Sequence, residues 1–233
     1  NIYPSGDLIM FAKLFKNSVG RKLIMAASGL GMIGFVVVHL LGNLSIFLGP
    51  DGINLYADRL HSLGPLLWLA RFGIAVMAAF HIGFGIWLTL ENRRAKPEGY
   101  AVKKRLASTF ASETMIYSGL LLLTFILFHL LHFTLGLVFP AISSLVDSAG
   151  RADVFTMVAE SFRKIPIVII YLVAMAVLFF HVGHGFKSLL QTIGLNNDRT
   201  LPWFAKASPL VSLILALGYV SIPMLILFGL VKG

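Results

Sequence analysis

Long apolar stretches separated by short polar connections account for most of the 233 residues. There are five, at about 22–48, 65–91, 112–139, 165–191 and 207–231. A helix needs about 20 apolar residues to cross a bilayer, and every stretch reaches that length. None shows the alternation, about ten residues long, that marks a transmembrane strand. The pattern predicts an all-α, polytopic membrane protein, a bundle of five transmembrane helices forming one domain over 22–231. Residues 1–21 form a polar to amphipathic lead-in. There Phe11, Leu14 and Phe15 share a helical face beside Lys13 and Lys16, which suits a segment lying on the membrane surface.

Within the apolar stretches the polar exceptions repeat. His39 and His129 each stand in H-L-L; His81 and His181 each open an H-x-G-x-G run. The two motifs occur in the same order in each half of the chain. An imidazole at membrane depth is costly and marks function. With helices alternating in direction, His39 and His129 both lie about 14–15 Å below the outer edge, at about 1.5 Å per residue. His81 and His181 share a depth near the inner side. Equal depth on different helices is what bis-histidine ligation of one iron requires, so the repeat predicts two haem irons stacked across the membrane. His39 and His129 would hold the outer one, His81 and His181 the inner one. Such a haem has no open coordination position and carries electrons. His132 and His184, one turn further on, are possible substitutes as ligands. Neither has a counterpart in the other half, where Gly42 and Phe84 stand, and His129 and His181 are preferred. The glycines after the histidines (Gly42, Gly83, Gly85, Gly183, Gly185) would let a flat macrocycle approach the backbone, although small residues also serve helix packing.

Composition narrows the alternatives. The chain is 58% hydrophobic and only 12% charged, with no cysteine. It therefore supplies no thiolate for an iron–sulfur cluster or a zinc site. The net charge of +9 is explained by orientation, not by nucleic acid. Basic residues gather in 1–22, 91–112 and 187–206, thirteen in all, against five in the segments that alternate with them. Under the positive-inside rule the N-terminus is cytoplasmic, and the basic inner face is a dock for a peripheral partner. Glu91 and Glu113 lie at helix ends and no carboxylate stands mid-span. That argues against a proton-coupled transporter, the main non-haem alternative beside an assembly scaffold.

These motifs resemble a known family. His39 to Asn43 (H-L-L-x-N), the F-H-x-G-x-G runs at 80–85 and 180–185, His129, the Arg21-Lys22 pair, the Gly49-Pro50-Asp51 turn and Leu60-His61-Ser62-Leu63 are similar to the dihaem cytochrome b anchor of succinate:quinone oxidoreductases. Those are the succinate dehydrogenases and fumarate reductases with a single five-helix anchor. The resemblance implies two haems b and a menaquinone or ubiquinone site. It implies a bacterial cytoplasmic membrane, and an iron–sulfur subunit on the cytoplasmic face that in turn holds the FAD-bearing flavoprotein. Some members carry an acidic quinone-site residue in the outer connection between the first two helices; Asp58, His61 and Ser62 occupy the comparable place. Where some carry a glutamate for transmembrane proton transfer, this chain has Phe179. Arg71 and Arg163 near the outside, and Arg21 and Lys187 near the inside, are candidates to neutralise haem propionates. A cytochrome b of a formate dehydrogenase or hydrogenase complex is the second reading.

Overall fold

A computed structural model describes residues 15, 17–95, 110–195 and 197–231. Phe11, Leu14, Lys13 and Lys16, on which the surface-helix expectation rests, lie outside the described residues, Phe15 alone excepted. Nearly everything described is helical. In chain order the helices are α1 (Ser18–Asn43), α2 (Pro50–Ser62), α3 (Pro65–Arg94), α4 (Phe110–His129), α5 (Pro140–Ser143), α6 (Val154–Phe162), α7 (Ile165–Thr192) and α8 (Leu201–Leu227). A tight 3-10 turn, Leu44–Leu48, extends α1, and a wide π turn, Leu130–Thr134, extends α4. Among the described residues the one β feature is a bridge between Val146 and Ala152.

The five apolar stretches are five helices long and apolar enough to cross a membrane: Ser18–Leu48, Pro65–Arg94, Thr114–Thr134, Ile165–Thr192 and Leu201–Leu227. This is a multi-pass membrane protein. Local chemistry sets the ends. Asn17 caps α1 by accepting the Gly20 N–H at 2.5 Å, satisfying one of the orphan donors of a first turn. At Gly49-Pro50 and Gly64-Pro65 a glycine with positive φ, 84° and 52°, turns the chain. The proline after it starts the next helix, where its missing N–H costs nothing. These two turns seat α2 between the first two spans.

The ends differ from the sequence expectation in two places. The third span stops near residue 134 instead of 139. The π turn closes with Leu135 N–H on the Leu130 carbonyl at 2.8 Å, Gly136 then takes a φ of 63°, and Pro140 starts α5. The fifth span starts six residues early, because Pro202 sits in the first turn of α8, where proline is tolerated.

Packing is uneven. The most extensive helix contacts are α7 with α8, α1 with α3, α4 with α7 and α1 with α7. The main apolar core gathers Ile46, Ile53, Phe155, Phe162, Tyr171 and Ile222 at the end away from Ser18, hereafter the far end. Leu40, Val182 and Leu215 form a second core in the spans. Large side chains such as Leu66, Trp68, Leu69 and Phe72 stay exposed, as lipid-facing positions should.

A polar knot ties the far end together. Asn54, fully buried, accepts the Phe155 N–H at 2.9 Å and donates to Asp147 and Asp153 at 3.2 and 3.3 Å. Arg151 bridges Asp147 at 2.8 Å and Asp51 at 2.5 Å. Burial would raise the Asp147 pKa, but hydrogen bonds from the Arg151 backbone and side chain, Asn54 and Ala149 outweigh it and hold the carboxyl below its ordinary value. Its contribution is therefore complete above about pH 4 and is lost only as pH falls through the lower folded value. Asn54→Leu strands the Phe155 N–H and removes a donor from two carboxylates, a loss of about 3 kcal/mol. Limited proteolysis should then cut the 144–153 connection in the variant under conditions that leave the parent intact.

Candidate functional site

The structure brings together both histidine pairs that the repeat singles out. His81 on α3 and His181 on α7 have ring centroids 6.3 Å apart with planes at 69°. His39 on α1 and His129 at the end of α4 have centroids 5.8 Å apart with planes at 85°. Two imidazoles bound end-on to one metal at about 2 Å have centroids about 6 Å apart. Among the described residues neither α1 with α4 nor α3 with α7 is a packed helix pair. In each case the rings reach across a gap between helices instead of lying in a helix–helix seam.

Hydrogen bonds fix three of the four rings. His81 Nδ1 donates to the Met25 carbonyl at 3.1 Å. His181 Nδ1 lies 3.0 Å from Ser118 Oγ, whose own proton goes to the Met115 carbonyl at 2.9 Å. His129 Nδ1 lies 3.2 Å from the Tyr171 hydroxyl. A metal-bound histidine typically donates its other ring N–H in this way, which sets the tautomer and leaves Nε2 for the metal. His39 differs. Asn43 Nδ2 sits 3.2 Å from its Nε2 while also donating to the His39 carbonyl at 2.7 Å. Metal ligation through that nitrogen requires the Asn43 amide to give way.

Among the described residues no group of three or more His, Cys, Asp or Glu side chains is placed to hold a metal ion. Two imidazoles alone make a poor metal site. They suit a metal whose remaining ligands come with it, as in a macrocycle, and so the donor set fits haem. The glycines divide between two roles. A Cβ at Gly42 would strike the Tyr56 ring at 2.4–2.7 Å, and one at Gly183 would meet Ser212 Oγ at 3.0 Å. These two serve packing against α2 and α8. A Cβ at Gly83, Gly85 or Gly185 would meet nothing within 4 Å, so open space lies beside the residues that follow the inner histidines. Gly29 was not singled out by the motifs, yet its Cβ would come 3.0 Å from His81 Cε1.

The other expected site residues are dispersed. Asp58 and His61 are exposed on α2, and His61 Nδ1 donates to the Ala57 carbonyl at 2.8 Å. Arg71 is exposed and stacks over Trp68 at 5.0 Å. Arg163 pairs with Glu160. Lys187 is half-buried. Arg21, buried at 4% exposure, holds Glu91 with two bonds of 2.6 and 2.8 Å and lies 5.3 Å over Trp87. It is a helix-to-helix lock between α1 and α3. His132 has both nitrogens engaged, Nδ1 with the Tyr171 hydroxyl and Nε2 with Ser161 Oγ, each at 3.0 Å. Sequence reasoning missed the hydroxyls of Tyr171, Ser161 and Ser118. Tyr171 stands out as a lone polar residue in an apolar stretch, whereas Ser161 and Ser118 have polar neighbours and gave no signal.

Compared with known proteins, the chain matches over residues 89–219 the sequence profile of a family described as the succinate dehydrogenase/fumarate reductase transmembrane subunit. No curated protein and no solved structure matches it.

Proposed function

The chain belongs to the succinate dehydrogenase/fumarate reductase transmembrane subunit family, and from that premise we propose that it carries electrons across the membrane between an iron–sulfur subunit and quinone. Two haems b, each held by one histidine pair, would form the path. The observation that carries this reading is the meeting of both depth-matched pairs at the separation that axial ligation of one metal requires.

The two histidine pairs would each hold one haem b, which would supply a one-electron couple suited to carrying electrons and not to activating oxygen. The protein does the rest. His81 and His181 hold the inner position, with Met25 and Ser118 fixing their rings. His39 and His129 hold the outer one. The basic inner face docks the iron–sulfur subunit, which carries the flavoprotein where succinate and fumarate interconvert, on the cytoplasmic side of a bacterial inner membrane. At the far end His61, beside Asp58, is exposed to exchange protons with a menaquinone or ubiquinone. Arg71 on that side, Arg163 there too in an exposed pair with Glu160, and Lys187 on the other are available to haem propionates; Arg21, buried against Glu91, is not. Family membership favours this assignment over a formate dehydrogenase or hydrogenase partner and over a transporter.

A pyridine haemochrome assay on the purified complex, with haem counted per copy of this chain, tests the reading. Two haems b are expected. One would mean that a single pair is real, and none in folded protein would overturn the electron-transfer role.

A further inference from the structure

Around His129 the hydrogen bonds run in one direction only. Ser161 Oγ donates its single proton to the Met157 carbonyl at 2.7 Å. Toward His132 Nε2, 3.0 Å away, it can therefore only accept, and His132 carries its proton on Nε2. A neutral imidazole donates from one nitrogen and accepts at the other, so His132 Nδ1 accepts from the Tyr171 hydroxyl at 3.0 Å. That uses the one tyrosine proton. Toward His129 Nδ1, at 3.2 Å, the Tyr171 oxygen is an acceptor, and His129 must carry its proton on Nδ1. Its Nε2 is left with a lone pair. The chain is sealed: His132 is 1% exposed and Ser161 fully buried, and Phe133 stacks on His132 at 3.9 Å. It links three helices, α4, α7 and α6.

We infer that Tyr171, His132 and Ser161 are positioning residues that fix the tautomer and ring of His129 and thereby set the redox potential of the outer haem. This rests on the reading of His39 and His129 as its ligands. Hydrogen bonds in series strengthen one another, so Tyr171, donating onward to His132, is a stronger acceptor than an isolated hydroxyl. A stronger acceptor at Nδ1 makes the ring a more basic ligand and favours the oxidised metal. The inner pair has only short supports, the Met25 carbonyl and the two-step Ser118 link. The chain is thus a built-in difference between two sites that are otherwise repeats of each other.

The test is a redox titration of the complex at the haem b absorption band, with low-temperature EPR and a haem count. His129→Ala identifies which signal is the outer one. Tyr171→Phe should keep both haems, raise the outer potential by about 59 mV, a tenfold change in the oxidised-to-reduced ratio, and leave the inner one in place. His132→Leu should do the same, because Tyr171 then has no onward acceptor. His132→Gln should restore the parent value. Its amide oxygen accepts from Tyr171 and its N–H donates to Ser161. The inference falls if Tyr171→Phe and His132→Leu leave the outer potential and EPR signal unchanged, or if Leu and Gln at 132 shift them equally. Should Tyr171→Phe shed the outer haem, the two His132 variants decide by the same criterion. A parent complex without haem would instead overturn the ligand assignment itself.

Discussion

His181→Ala is expected to halve the haem content of the complex, from two per chain to about one, with the remaining haem spectrally that of the outer site. On the proposed pairing the inner haem would be held by one imidazole from each of two helices that are not packed against each other, so His81 alone would hold it from one side only. The outer pair stands on α1 and α4, not on α3 or α7, and its support, the Tyr171 hydroxyl, is untouched. A haem count with difference spectra on His181→Ala and His39→Ala, side by side, gives the complete check. Each variant should lose a different haem. Loss of both from either one, in folded protein, would break the pairing. Retention of both in His181→Ala would point to His184, one turn along α7, as the true ligand; His184→Ala is expected to keep both.

The second large effect is expected at Glu91. Its carboxylate faces the Arg21 guanidinium, which is 4% exposed, and removing one member of a buried pair typically costs about 3–5 kcal/mol. Glu91 itself is half-exposed, with 45% of its side chain accessible, so water screens part of the charge and about 2 kcal/mol is the better figure. Glu91→Ala should lower the thermal midpoint of the complex in detergent, with early release of the inner haem, because Arg21 pins α1 against α3 one end of the span away from His81. Glu91→Gln keeps a hydrogen-bond acceptor and should fall between parent and Ala. If Ala and Gln are both indistinguishable from the parent, the pair contributes nothing at this position.

Much of this was readable from the chain itself, and the reason is energetic. Twenty apolar residues in a row have one stable fate in a bilayer, so the five spans were visible. The histidine pairs were visible because a costly residue recurred in register in each half. The third span was overestimated because residues 135–139 are apolar like the helix before them. Only the π turn, Gly136 and the turn into Pro140 end it, and apolar periodicity is blind to all three. Helices α2, α5 and α6 were hidden in connections too short and too mixed to show a face. The glycines misled in part: the same motif glycine opens space at Gly83 but accepts Ser212 at Gly183, a difference that only the neighbouring helix decides. The hydroxyls that orient the rings were out of reach. Tyr171 lies 42 residues from His129, and nothing in the spacing of either announces the other.

The same arrangement has a bearing on biogenesis. The strongest early contact, α1 with α3, and the later one, α4 with α7, each join neighbouring spans within one half of the chain, whereas every histidine pair takes one ring from each half. A ribosome that has delivered only the first two spans has made one ring of each pair and, on the proposed ligation, would complete neither site. On the proposed ligation, capture at the outer pair would report that translation has passed α4, and capture at the inner pair that it has passed α7.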